Sequence, residues 1–288
     1  MTELWQRLPS GRLGAGWMIV AAFCFATMGV FVKLGKPFFS PAELLFYRTL
    51  IGFTSVSLVV FARRQPVLPP NWGAHLKRSF TGYAAIVCLF YAITELPLAT
   101  AVTLNYTSTL FFALICVLWL REKLTGRVSV ALLIGFAGIV TLLRPSFDSQ
   151  TWLAALVGLM SGFFAGASIF QVRELGQMGE PEWRTVWWFT GVSTLLSLVW
   201  LVFHRFSPIS SANVWILAGL GASATAGQLA MTRAYKEGRK FLAASFGYLT
   251  VVFSALMGWG LWGDVVSFEG LLAMGAIVLS GLIAARRG

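Results

Sequence analysis

The stretch ELLFYRTLIGF, residues 43–53, puts Arg48 inside an otherwise apolar run, with Glu43 at its edge. Polar groups in such runs are costly unless they are paired or face a cavity. Seven more stand out: Tyr83, Tyr91, Asn105, Ser168, Gln171, Gln228 and Tyr248. On helical spacing, Asn105 shares a face with Ser108 and Thr109, and Gln228 lies in a stripe with Thr232 and Tyr235. Phenols, amides and hydroxyls with aromatic neighbours bind a small amphipathic solute, neutral or zwitterionic, with a planar ring accommodated. They do not make a catalytic set. HExxH and GxSxG are absent, His75 and His204 read as loop-edge residues, and Gly219 and Gly221 lie inside an apolar run without a phosphate-loop context. Cys24, Cys88 and Cys116 fall in three separate apolar segments without a CxxC pair. The expectation is therefore no enzyme, no catalytic residue, no metal and no cofactor.

These residues must be positioned by membrane helices. Hydrophobic residues make up 57% of the 288 and charged residues only 11%, against about 25% charged in soluble domains. A helix crossing the hydrocarbon needs about 20 apolar residues. Ten such spans are predicted: 13–34, 42–62, 79–95, 99–119, 128–143, 152–172, 185–203, 213–232, 241–262 and 267–285. The fold class is an all-α integral membrane protein of ten transmembrane helices.

Charge supplies the orientation. Counting alternate loops, 17 of the 22 Lys and Arg fall on the side of both termini and 4 on the other, with Arg48 inside a span. The positive-inside rule places both termini in the cytoplasm. The same charge makes the bilayer, and not nucleic acid, the partner of this net +11 chain.

The halves also resemble each other. The stretch from Tyr91 parallels that from Tyr235: Leu98 and Ala99 match Leu242 and Ala243, and Glu122 falls near Asp264. Five spans per half, an odd number, make the halves inverted. The predicted units are 1–148 and 149–288, and such repeats bind a solute between the halves near the midplane. In span 6, Gly158, Gly162 and Gly166 form a strip suited to close helix packing.

In these features the chain resembles the EamA-type transporters of the drug/metabolite transporter superfamily. The resemblance is carried by the 5+5 layout, Tyr47-Arg48 after Ser40-Pro41, LREKLT (120–125) followed by Gly135 and Gly138, and YLTVVFSALMGW (248–259). It extends to the aromatic amino acid exporter branch. It implies that spans 1, 3, 4, 6, 8 and 9 surround a central cavity, and the candidate residues fall in five of those six. Family members often carry Pro within spans 4 and 9. Here Thr109 and Thr250 stand nearest, so the resemblance supplies no helix break.

The expected function is secondary transport by alternating access across the inner (cytoplasmic) membrane, as an exporter of an amino acid, with an aromatic one as the leading substrate. Uptake of a vitamin-like or nucleoside-like ring compound is one alternative, and a passive channel or scramblase another. The protein is expected as a monomer or homodimer. No Asp or Glu lies at mid-membrane depth, which favours exchange or facilitated movement. Glu43 and Glu95 are the remaining routes for a proton.

Arg48 lies about 8 Å in from Glu43 by the helical rise, well short of a midplane about 15 Å deep. Two roles stand: a substrate-binding charge, or an outer-side latch. The latch is the stronger expectation, with Arg48 held by Glu95 and Glu43 served by Lys33 or Lys36. The set of phenols, amides and hydroxyls itself predicts a cavity with no strong fixed charge.

Overall fold

The computed structural model describes residues 10–119, 126, 130, 133–135, 137–138, 141, 151–202, 206–237, 246–264 and 267–285. Its helices are α1 (Ser10–Gly35), α2 (Pro41–Ala62), α3 (Trp72–Glu95), α4 (Leu98–Tyr106), α5 (Ser108–Trp119), α6 (Trp152–Gln177), α7 (Glu182–Leu201), α8 (Val214–Glu237), α9 (Leu249–Trp262) and α10 (Phe268–Ala285). No strand occurs among the described residues. These ten helices are not the ten predicted spans. Span 4 is divided into α4 and α5, and most of span 5, with LREKLT, lies outside the described residues. Among the described residues four helices are long and apolar enough to cross a membrane: Gly16–Gly35, Pro41–Ala62, Trp152–Gln177 and Val214–Lys236.

Local chemistry explains several boundaries. Ser40 caps α2: its Oγ accepts from Glu43 N–H at 3.3 Å, and Glu43 Oε2 accepts from Ser40 N–H at 2.8 Å. Pro41 follows at the first helical position, where its missing N–H costs nothing. At the far end of α9, Gly263 takes a left-handed φ of 67° that a side chain would strain.

Span 4 breaks without proline. Thr107 is a fully buried turn residue between α4 and α5, and its Oγ1 donates to Leu104 O at 2.6 Å. That side-chain bond to a nearby carbonyl competes with regular helix. Span 9 shows the counterpart: residues 246–247 are helical, Tyr248 is a turn, and α9 then begins at Leu249. The absence of proline does not prevent either break.

The glycine strip on α6 accommodates the break in span 4. A Cβ on Gly162 would meet Leu104 O at 2.6 Å and Asn105 O at 3.3 Å; one on Gly166 would meet Ser108 O at 2.8 Å. Only hydrogen at these positions lets α6 reach the exposed backbone of the break.

Helices of the two halves interleave. α1 lies along α8, α3 along α6 and α2 along α7, while α4 and α5 pack on α6 as α9 packs on α1. One continuous core includes Leu44, Phe90, Leu104, Leu220 and Val251. Large apolar side chains such as Leu58, Phe61, Leu195, Trp259 and Leu272 are exposed. Polar groups turned inward and apolar groups turned outward are the arrangement a bilayer demands.

Candidate transport cavity

A central cavity of about 140 Å³ lies where the halves meet. α3, α4, α5 and α6 line it together with α1, α2, α7, α8 and the start of α9. By the space a water needs, it holds on the order of ten water-sized positions. Most of the wall is apolar, so its few polar side chains set what it can recognise.

Three of the seven predicted binding residues line this cavity: Asn105, Ser168 and Gln228. Asn105 Nδ2 donates to Ser161 Oγ at 3.1 Å, and Ser161 Oγ in turn donates to Gly158 O at 2.6 Å. This chain ties the end of α4 to α6 beside the break. The other four lie outside the lining. Tyr83 OH accepts from Ser197 Oγ at 3.3 Å, and Gln171 Oε1 accepts from Thr81 Oγ1 at 2.6 Å. Tyr91 packs against the main core. Tyr248 is buried with its ring 5.9 Å from that of Tyr106. Tyr106 does reach the cavity, and its OH lies 2.6 Å from Thr250 Oγ1, joining the two broken spans.

The expectation of a cavity without fixed charge is overturned. Arg48 and Arg78 both line it, each only 3% exposed. Their guanidinium carbons lie 5.6 Å and 4.0 Å from the ring centroid of Phe189, within cation–π range. Nε and Nη1 of each arginine donate to nothing among the described residues. Gly82, one turn beyond Arg78, makes the room: a Cβ there would overlap Arg78 Nη1 and lie 3.0 Å from Phe189 and 3.2 Å from Ser168 Oγ.

Arg78 escaped sequence reading because it follows Lys77 and looks like loop charge. α3 starts at Trp72, seven residues before the predicted span, so Arg78 is helical and buried. Its signal was spacing: Arg78, Gly82, Ala85 and Leu89 recur at three or four residues and all face the cavity. The same early start makes His75 a fully buried residue 3.6 Å from Glu180, not a loop-edge one. His204 lies outside the described residues.

The latch expected between Arg48 and Glu95 is not formed. Glu95 accepts from Lys36 Nζ at 3.1 Å, and both side chains are more than two-fifths exposed. α2 packs on α7 and α8, which turns Arg48 toward Phe189 and away from the end of α3. Glu43 does not pair with Lys33 or Lys36 either. Besides capping α2, its carboxylate accepts from Ser207 N–H at 2.6 Å and from Ser207 Oγ at 3.1 Å. The sequence held this signal: Ser40-Pro41-Ala42-Glu43 has the S-x-x-E spacing of a capping box.

A second cavity of about 150 Å³ sits between the ends of α6, α7 and α8, lined by charged residues including Arg173, Glu180, Glu182 and Lys236. Tyr235 lines both cavities. Lys36 and Lys33 lie at the other end of the molecule. Phe31 meets Trp215 at one end of the α1–α8 pair, while Trp17 and Tyr235 share a cluster at the other, so the helices are antiparallel.

Comparison with known proteins fits this architecture. The family model "EamA-like transporter family" matches the chain twice, over residues 12–144 and 152–286. A pseudopaline exporter of Pseudomonas aeruginosa is 30% identical over 283 residues, 97% of each chain. A riboflavin transporter of Vibrio cholerae is 27% identical, covering 93% of this chain and 91% of its own. One crystal structure shares the fold at a TM-score of 0.70 with 19% identity, over 95% of this chain and 99% of that one. Matched in both halves and over nearly all its length, the chain belongs to the EamA-like transporter family of the drug/metabolite transporter superfamily and is a membrane transporter.

Proposed function

We propose that this transporter exports a small amphipathic metabolite of the amino-acid type across the cytoplasmic membrane by alternating access between two inverted five-span repeats, with both termini in the cytoplasm. The observation that carries the reading is the central cavity, walled by helices of both halves and lined by amide, hydroxyl and aromatic side chains in an apolar frame. Its volume suits an amino-acid-sized solute. The swapped pairing of α1 with α8 and of α3 with α6 supports the inverted repeat, because a pseudo-two-fold axis exchanges these two contacts. The similarity to a pseudopaline exporter supports the outward direction.

The test is counterflow in proteoliposomes. Internal unlabelled phenylalanine should accelerate entry of labelled phenylalanine, with saturation. Flux that rises linearly with concentration and shows no counterflow would make this a channel. A second reading, uptake of a ring compound, rests on the similarity to riboflavin transporters. Counterflow of riboflavin with none of phenylalanine would select it.

A further inference from the structure

Buried arginines need an anion, and the described lining of this cavity provides none. The described lining residues include two arginines and no Asp or Glu. Both arginines are 3% exposed, and Nε and Nη1 of each lack a partner among the described residues. Leaving charge-bearing donors buried and unpaired costs much more than leaving them in water. Here the cost is incurred twice, by neighbouring like charges on the ring of Phe189. Cation–π contact with the ring offsets part of it and leaves the edge donors free. Gly82 lets the Arg78 guanidinium settle where any side chain would displace it, and Ser168 offers a hydroxyl beside it.

We propose that Arg48 and Arg78, held on Phe189 with Gly82 as the supporting gap and Ser168 alongside, form an anion subsite that grips an acidic group of the transported solute. The group is a carboxylate or a phosphate, both of which accept the two parallel bonds a guanidinium offers. This deepens the export reading and rests on it: the cargo presents its acid to α2 and α3 and its apolar body to the rest of the wall. A purely neutral or cationic solute leaves the arginines unpaired and is rejected.

Binding to the purified full chain in detergent tests the subsite. Phenylacetate and phenyl phosphate are compared with benzyl alcohol and phenethylamine by calorimetry. At least one acidic probe is expected to bind, and benzyl alcohol and phenethylamine about tenfold or more weaker. Arg48→Gln and Arg78→Gln should each lower affinity for the acidic probe by about tenfold or more and leave benzyl alcohol unchanged. If either variant does not fold, Gly82→Ala carries the test, because its methyl displaces the Arg78 head group. Equal binding of acidic and neutral probes, or folded variants with unchanged acid affinity, overturns the proposal.

The arms also separate sources. Preference for phenylacetate over phenyl phosphate assigns a carboxylate, and the reverse a phosphate. Displacement of both by phosphatidylglycerol micelles would assign the pair to a lipid headgroup, and displacement by chloride alone to a structural ion; either overturns the cargo assignment. Acid binding without any counterflow keeps the subsite and removes the export reading. Phenylalanine counterflow unchanged in both arginine variants does the opposite.

Discussion

Lys33 Nζ and Asp264 Oδ2 lie 2.7 Å apart although 231 residues separate them in the chain. Lys33 also sits 4.6 Å above the ring of Trp262. The pair joins the last turn of α1 to the residue after the cap of α9, tying the first half to the second at one end of the cavity. At the opposite end Lys236 meets Glu182 at 3.3 Å. The first pair bridges the two halves, whereas the second joins α8 to α7 within one half, so Lys33–Asp264 is the pair placed to act as a closure.

Asp264→Asn is therefore expected to change transport more than stability. Partly exposed pairs contribute only about 0–1 kcal/mol, so thermal unfolding should shift little. The rate of counterflow should change several-fold as the balance between the two access states moves. Exchanging the charges, Lys33→Asp with Asp264→Lys, should recover most of the wild-type rate. A double variant no better than the single ones would show that the pair is not a closure.

Tyr235 lines both the central cavity and the charged one, and so is placed to partition them. Tyr235→Ala should join the two spaces, and Tyr235→Phe should not. The expected result for Ala is faster modification of a cysteine placed at Ala165 by a charged thiol reagent in Cys24→Ala, Cys88→Ala, Cys116→Ala protein, with a leak that no longer saturates. For Phe both properties should match wild type. Equal modification rates in all three proteins would remove the partition.

Much of the frame was legible in the chain because membrane helices are constrained by composition alone: every backbone group must be satisfied within the helix, so apolar runs of the right length become helices. Asn105, Ser168 and Gln228 were legible as cavity residues for the same reason, since amides and hydroxyls in lipid must turn inward. Arg78 was not, because charge beside a loop is indistinguishable from charge in one until the helix start is fixed. The break at Thr107 is not legible because it carries no proline: a threonine hydroxyl bonded to Leu104 O accompanies it instead. The charge of Glu43 suggests a proton site, whereas its spacing from Ser40 marks the cap that the structure forms.

Gly162 should tolerate no side chain. Its Cβ would lie 2.6 Å from Leu104 O, a backbone atom that cannot swing away as a side-chain tip can. Gly162→Ala is expected to cost about 1–3 kcal/mol by overpacking, seen as a lower unfolding temperature in detergent. Gly275→Ala on α10 is the control, since no heavy atom lies within 4 Å of its Cβ. There the change should be neutral or slightly stabilising, through the better helix propensity of Ala. Equal losses at the two sites would mean that the α6 strip is not a tight contact.

Glu43→Gln tests structure against proton coupling at one residue. The carboxylate is 3% exposed and accepts from Ser40 N–H, Ser207 N–H and Ser207 Oγ. Glutamine keeps one acceptor oxygen and turns the other position into a donor facing a donor. Weakened hydrogen bonds to a buried charged group cost about 1–3 kcal/mol, so the variant should unfold at lower temperature. Its counterflow, once folded, should match wild type, because the bonds hold the start of α2 to the residues before α8 and do not reach the cavity lining. Wild-type counterflow should likewise be unchanged when an imposed pH gradient is collapsed. A wild-type rate that falls in proportion to the gradient, together with a Glu43→Gln variant that ignores it, would make Glu43 a proton carrier and not a clasp.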